Sequence, residues 1–125
     1  MSSKLDSLFE QYKRAVERFK EVMLQPRTDI VRDSAIQRFE FSSELAWKLM
    51  KAHLEEKGAR EIYFPKDIIR NAFQARIIKD DPSWLDMVDT RNKTSHIYSE
   101  AMAEKVYQQL PVYLPLFADL LKALS

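Results

Sequence analysis

Apolar residues recur along this chain at helical spacing, in stretches separated by polar or proline-bearing breaks. Leu5, Leu8, Phe9, Tyr12, Val16, Phe19 and Met23 form one stripe, which predicts a first helix over about Ser3 to Met23. The run Gln25-Pro26-Arg27-Thr28-Asp29 interrupts it, and Thr28 or Asp29 can cap the next helix. A second helix is predicted from about Ile30 to Lys57, stopped by Gly58. Its apolar residues fall on two sides: Ile36, Phe39, Trp47, Met50 and Leu54 on one, Phe41, Leu45, Leu49 and Ala52 on the other. Polar residues keep a strip made of Asp33, Glu40, Glu44, Lys48, Lys51 and Glu55. A helix apolar on two sides belongs between neighbours. One side faces its own bundle; the other faces more of that bundle or a second subunit.

Pro65 suits the first position of a third helix, whose apolar face is Ile68, Ile69, Ala72, Phe73 and Ala75 and whose end is expected near Lys79. Asp81 then caps a fourth helix, with Pro82 at its first position and Trp84 to about Asn92 in its body. Ser99 caps a fifth, with the stripe Val106, Tyr107, Leu110, Leu114, Phe117, Leu121 and Leu124. Pro111 and Pro115 lie inside that stripe, and each removes a backbone hydrogen bond, so a kink or break is expected there. Gly58 is the only glycine, whereas hairpins and barrels consume glycine at turns. No alternating strand pattern and no repeat is present. The expected architecture is all-α: an antiparallel up-and-down bundle of about five helices, as one domain over residues 1–125.

Composition narrows the function. The chain is 46% apolar and 31% charged, which suits a globular domain, not a disordered one. A formal net charge of +1 gives no electrostatic footprint for DNA or any long nucleic acid, so an RNA contact needs a local patch. Cysteine is absent, which excludes disulfides and thiolate metal sites. The opening residues Met1-Ser2-Ser3-Lys4-Leu5 lack the apolar core of a signal peptide, and no apolar run approaches membrane-spanning length. The expected location is the cytoplasm, with no membrane contact.

Most familiar chemistries find no residues here. Zinc needs three or four converging ligands, but the two histidines, His53 and His96, lie on separate elements; no metal is expected. A phosphate-cradling loop needs several glycines, so no nucleotide cofactor is expected either. The Gly-Ser pair followed by Asp-x-Asp that marks a nucleotidyltransferase is missing. Ser95 precedes His96, but no elbow sequence presents it and no third orienting group is evident.

What remains is the stretch from Asp89 to Tyr98, between the fourth and fifth helices. On a straight helix Arg91 falls near Trp84 and Met87, where a guanidinium needs a partner. Asp89, Glu44 and Glu100 are the acidic candidates. His96 lies five residues on, roughly 140° around the same helix, so the two cannot meet unless the helix breaks near Thr94 or a second subunit supplies one of them.

Arg91-Asn92, three residues, His96 and then Tyr98 resemble the Arg-x4-His-x-Tyr motif of HEPN domains. The run from Gln37 to Lys48 is similar to the second-helix signature of one branch, the substrate-binding subunit of two-component bacterial nucleotidyltransferases. The resemblance covers essentially the whole chain. It implies a HEPN-like bundle acting as a homodimer, the non-catalytic partner of a separate small nucleotidyltransferase chain that holds ATP and metal. It also implies an alternative: a ribonuclease toxin neutralised by that nucleotidyltransferase as antitoxin. There His96 activates the ribose 2′-hydroxyl or protonates the leaving oxygen, and Arg91 neutralises the phosphate, without metal. Whether the chain is itself an enzyme therefore stays open; it transfers no nucleotide alone. On either reading Arg91, Asn92, His96, Tyr98 and Glu44 are the candidate binding residues for a nucleotide or RNA ligand. Tyr98 resembles an acceptor for transferred adenylate, set against the alternative of a tyrosine that packs at the start of the fifth helix. A structural helical adaptor with no site of its own is the third reading.

Overall fold

The computed structural model describes residues 3–125; Met1 and Ser2, the first residues of the stretch considered for a signal peptide, lie outside the described residues. Five α-helices follow in order: α1 Ser3–Met23, α2 Asp29–Glu56, α3 Pro65–Gln74, α4 Ser83–Lys93 and α5 Glu100–Leu124. A short 3-10 turn, Thr94–His96, joins α4 to α5. No strand occurs among the described residues, so the fold is all-α, an antiparallel up-and-down bundle.

The helix boundaries have local causes. Thr28 Oγ1 accepts the Val31 amide at 3.1 Å and so starts α2. Gly58, at φ 95°, ends it. The Gly58 amide donates to Glu55 at 3.0 Å and the Ala59 amide to Leu54 at 3.0 Å, the paired closing bonds of a Schellman turn. Ser99 Oγ accepts the Met102 amide at 3.2 Å and starts α5. The fourth helix begins one residue later than expected: Pro82 takes the cap position, and the Asp81 carboxylate accepts the Ser83 amide at 2.9 Å.

One expectation is corrected and another is narrowed. The third helix stops at Gln74, not near Lys79. Arg76 adopts φ 62°, and the amides of Arg76 and Ile77 close back onto Phe73 and Ala72 at 3.0 and 2.9 Å. This is the same turn that ends α2, built on an arginine in place of glycine, and Ile77 is buried behind it. Of the kink or break expected in the fifth helix, the break does not occur; it runs as one helix through Pro111 and Pro115. Both prolines are exposed, so the carbonyls of Tyr107 and Pro111 that lose their amide partners lie on a side open to water.

Phe39 of α2 sits at the centre of the core. Its ring packs against Phe19 at 6.2 Å, Phe117 at 6.2 Å and Tyr113 at 5.4 Å between centroids. Trp47, Met50 and Leu54 are buried on the same side of α2. Tyr12 is fully buried and donates its hydroxyl to the Phe117 carbonyl at 2.7 Å; burial pushes its phenol well above the usual tyrosine range. The second apolar side of α2 is covered unevenly. Leu49 and Ala52 are buried, Leu45 is half-buried, and Phe41 is 57% exposed in a groove between α1 and α2.

Candidate functional site

The α4–α5 junction carries the candidate residues, and its geometry follows from how α4 ends. After Lys93 the chain tightens into Thr94–His96, and Ile97 is extended at φ −89°, ψ 105°. Thr94 Oγ1 donates back toward the Arg91 carbonyl at 2.7 Å, filling an acceptor that the helix end leaves open. The helix therefore ends between Arg91 and His96.

Arg91 projects from the last turn of α4 onto the polar strip of α2. Its Nη2 lies 3.0 Å from Glu44 Oε1 and its Nη1 3.4 Å from Glu40 Oε2. Nη1 also donates to Thr94 Oγ1 at 3.2 Å, and Thr94 Oγ1 stands 3.0 Å from Glu40 Oε2. Arg91 Nε is buried with no hydrogen-bond partner among the described residues. Of the three carboxylates considered for Arg91, Glu44 is a partner. Asp89 pairs with Lys66 at 2.9 Å, and Glu100 with Arg32 at 2.6 Å.

His96 is exposed and turns elsewhere. Its Nδ1 lies 2.9 Å from Tyr98 Oη, and Tyr98 is 79% exposed. Arg91 and His96 share no hydrogen bond within the chain, and Asn92 is exposed without a side-chain partner among the described residues. The candidates thus form two groups: Arg91 with Glu40, Glu44 and Thr94, and His96 with Tyr98.

Tyr98 also borders a shallow groove of about 520 Å³, shared with Arg32, Asp33, Ile36 and Glu100. Arg32 is 2% exposed, and its guanidinium faces Glu100 and Asp33, with Asp29 and Glu104 further off. Hydrogen bonds to Glu100 and then Asp33 raise its pKa. Arg27 reaches the same Glu104 and, chiefly by its hydrogen bond, holds that carboxyl below the usual range. The network ties the first turn of α2 to the first turn of α5, and so fixes the ledge on which Tyr98 stands.

Sequence reasoning missed Glu40, Thr94 and Arg32. Glu40 and Glu44 are like charges four apart on one helix face, an unfavourable pair unless a cation lies between them. That spacing was the available signal. Arg32 gave none, because it stands in a run of ordinary helix-start residues.

Among the described residues no group of three or more His, Asp or Glu is arranged to hold a metal ion, and no helix is long and apolar enough to cross a membrane.

The chain is similar to known proteins over most of its length. A Haemophilus influenzae protein described as a probable ribonuclease HepT is 38% identical over 99 residues, which is 73% of this chain and 66%, just under two thirds, of that relative. A solved structure from Thermus thermophilus superposes with a TM-score of 0.81 at 36% identity, over 90% of this chain and 98% of the other. A second, from Haemophilus influenzae, is described as having the fold of a substrate binding domain of a nucleotidyltransferase. It superposes with a TM-score of 0.69 at 34% identity, over 96% of both chains. The model of the family described as nucleotidyltransferase substrate binding protein like matches residues 7–125, and the chain belongs to that family.

Proposed function

We propose that this chain is the substrate-binding, non-catalytic subunit of a two-component nucleotidyltransferase, working as a homodimer with a separate small nucleotidyltransferase chain in the cytoplasm. The observation that carries this reading is the placement of Tyr98: a phenol standing free in solvent, with His96 at hydrogen-bond distance. The partner supplies nucleotide and metal; this chain supplies the acceptor hydroxyl or completes the cleft for another acceptor. Arg91 supports the division of labour. Two carboxylates already neutralise it, so it is not open to a phosphate in the chain as it stands. The test is co-purification with the partner nucleotidyltransferase, incubation with ATP and Mg²⁺, and mass analysis of the Tyr98 peptide. An unmodified Tyr98 in a complex that is active on some other acceptor removes Tyr98 as the acceptor and leaves this chain completing the cleft; a chain that neither binds the partner nor changes its activity rules the reading out.

A second reading is favoured by the relative described as a probable ribonuclease: the dimer cleaves RNA without metal, Arg91 meeting the phosphate and His96 serving as acid or base. Cleavage by the purified protein that is lost in both Arg91→Ala and His96→Ala establishes it; no cleavage in the wild type removes it.

A further inference from the structure

The backbone between α4 and α5 brings His96 and Tyr98 together in a way no helix can. Two residues apart on a helix, side chains point roughly 200° apart around the axis. Across one extended residue they fall on the same side. Ile97 is that extended residue, and it is half-buried against the core, so its two neighbours face outward together. The result is the 2.9 Å contact between His96 Nδ1 and Tyr98 Oη. The ring centroids are 6.0 Å apart and the planes inclined by 54°, so the polar tips make the contact, not the ring faces. No carboxylate pairs with His96 among the described residues; Tyr98 is its side-chain partner.

We propose that His96 is the base that takes the proton from Tyr98 when the phenol attacks an activated phosphoryl group. The proposal rests on the reading of Tyr98 as acceptor. In the tautomer with its proton on Nε2, His96 presents the Nδ1 lone pair to the phenol hydrogen. Tyr98 Oη forms a bond to the α-phosphorus of a nucleoside triphosphate held by the partner nucleotidyltransferase. The bond from that phosphorus to the bridging oxygen breaks, and pyrophosphate leaves with the electron pair. The phenol proton passes to Nδ1, and the imidazolium returns it to water. Once Tyr98 carries the nucleotide it has no hydroxyl to donate, so modification also releases His96 from the contact that orients it.

The chain itself supplies the control. Tyr63 is 68% exposed, with the Lys51 ammonium 5.3 Å from its ring centroid but no side-chain acceptor at its hydroxyl among the described residues. The experiment treats the isolated protein with an arylsulfonyl fluoride, an electrophile that tyrosine oxygens attack, and follows each tyrosine by peptide mass spectrometry. Tyr98 is expected to react at least about tenfold faster than Tyr63, a modest share of what a positioned base supplies. In His96→Ala it should fall to the rate of Tyr63. Buried Tyr12 reports the fold by staying unlabelled; if the variant labels it, the wild-type ratio of Tyr98 to Tyr63 decides alone. Equal wild-type rates, or an unchanged Tyr98 rate in folded His96→Ala, overturn the proposal. A fast Tyr98 that the partner and ATP leave unmodified overturns the acceptor reading while the activated pair stands.

Discussion

Glu44 Oε1 lies 3.0 Å from Nη2 of Arg91, so the arginine of the candidate motif is neutralised from within its own chain. Glu40 adds a second carboxylate at 3.4 Å. A phosphate reaching Arg91 must compete with both. The double variant Glu40→Gln, Glu44→Gln removes that competition and should raise affinity for a short RNA or a nucleotide by roughly tenfold, with a stability change under about 1 kcal/mol, because the pair is partly exposed. Fluorescence anisotropy at fixed salt measures it. Weaker binding in the double variant would mean that the carboxylates hold Arg91 in its binding pose and do not mask it.

Phe39 fills the centre of the core. It is fully buried among Phe19, Tyr113 and Phe117, and truncation leaves a cavity that three aromatic rings cannot collapse into. Phe39→Ala should cost about 3–5 kcal/mol, and Trp47→Ala a similar amount. Urea unfolding of each variant against the wild type gives the number. A loss below about 1 kcal/mol at either position would place that side chain outside the core.

Arg76 offers the opposite change. It holds a left-handed backbone conformation at φ 62°, where glycine meets no Cβ penalty. Arg76→Gly should stabilise the folded state by about 1 kcal/mol, less whatever the freer unfolded chain takes back. A melting temperature below that of the wild type would show that the Arg76 side chain holds α3 in place by contacts worth more than the strain.

Acid should loosen the α2–α5 junction through Glu104. Its folded pKa is depressed, chiefly by the hydrogen bond from Arg27. A depressed carboxyl contributes stability that is fully present above its unfolded value, about 4.3, and is lost as pH falls through the folded value. In Glu104→Gln, stability should depend less steeply on pH below about 4.5 than in the wild type. Denaturant titrations across that range test it, and identical slopes in the two proteins would refute the linkage.

Much of the fold was legible because helical periodicity and caps act locally. Thr28 and Ser99 each start a helix through a side-chain oxygen, and Gly58 stops one through its own backbone, whatever the rest of the chain does. Arg76 was not legible, since nothing in an arginine signals a left-handed turn. Pro111 and Pro115 left a kink or a break open because proline normally interrupts a helix; both fall on an exposed side, a fact that depends on how α5 packs. At the site, the motif residues could be named but not paired. Whether Arg91 turns to His96 or to Glu44 depends on which face of α2 lies opposite α4, and spacing within one helix does not report that.

Phe41 lies on a side of α2 that its own bundle leaves open. It stands 57% exposed on α2, one residue beyond Glu40, in a groove of about 530 Å³ between α1 and α2. Leu45 continues the apolar surface one turn on, while Arg14, Arg18 and Arg38 also line the groove. An apolar ring set among arginines is poorly placed for solvent and well placed for a two-fold contact. Burying it against a second copy brings two α2 helices together, and with them two sets of Glu40, Glu44 and Arg91. A site whose arginine and histidine do not meet within one chain could then be completed across the seam. The wild-type protein should run as a dimer in light scattering at micromolar concentration, and Phe41→Glu should run as a monomer with its fold intact, because the side chain is already half in water. The substitution should also abolish any activity that needs both halves. A wild-type protein that is monomeric under those conditions, or a Phe41→Glu variant that remains dimeric, would remove this face from the interface.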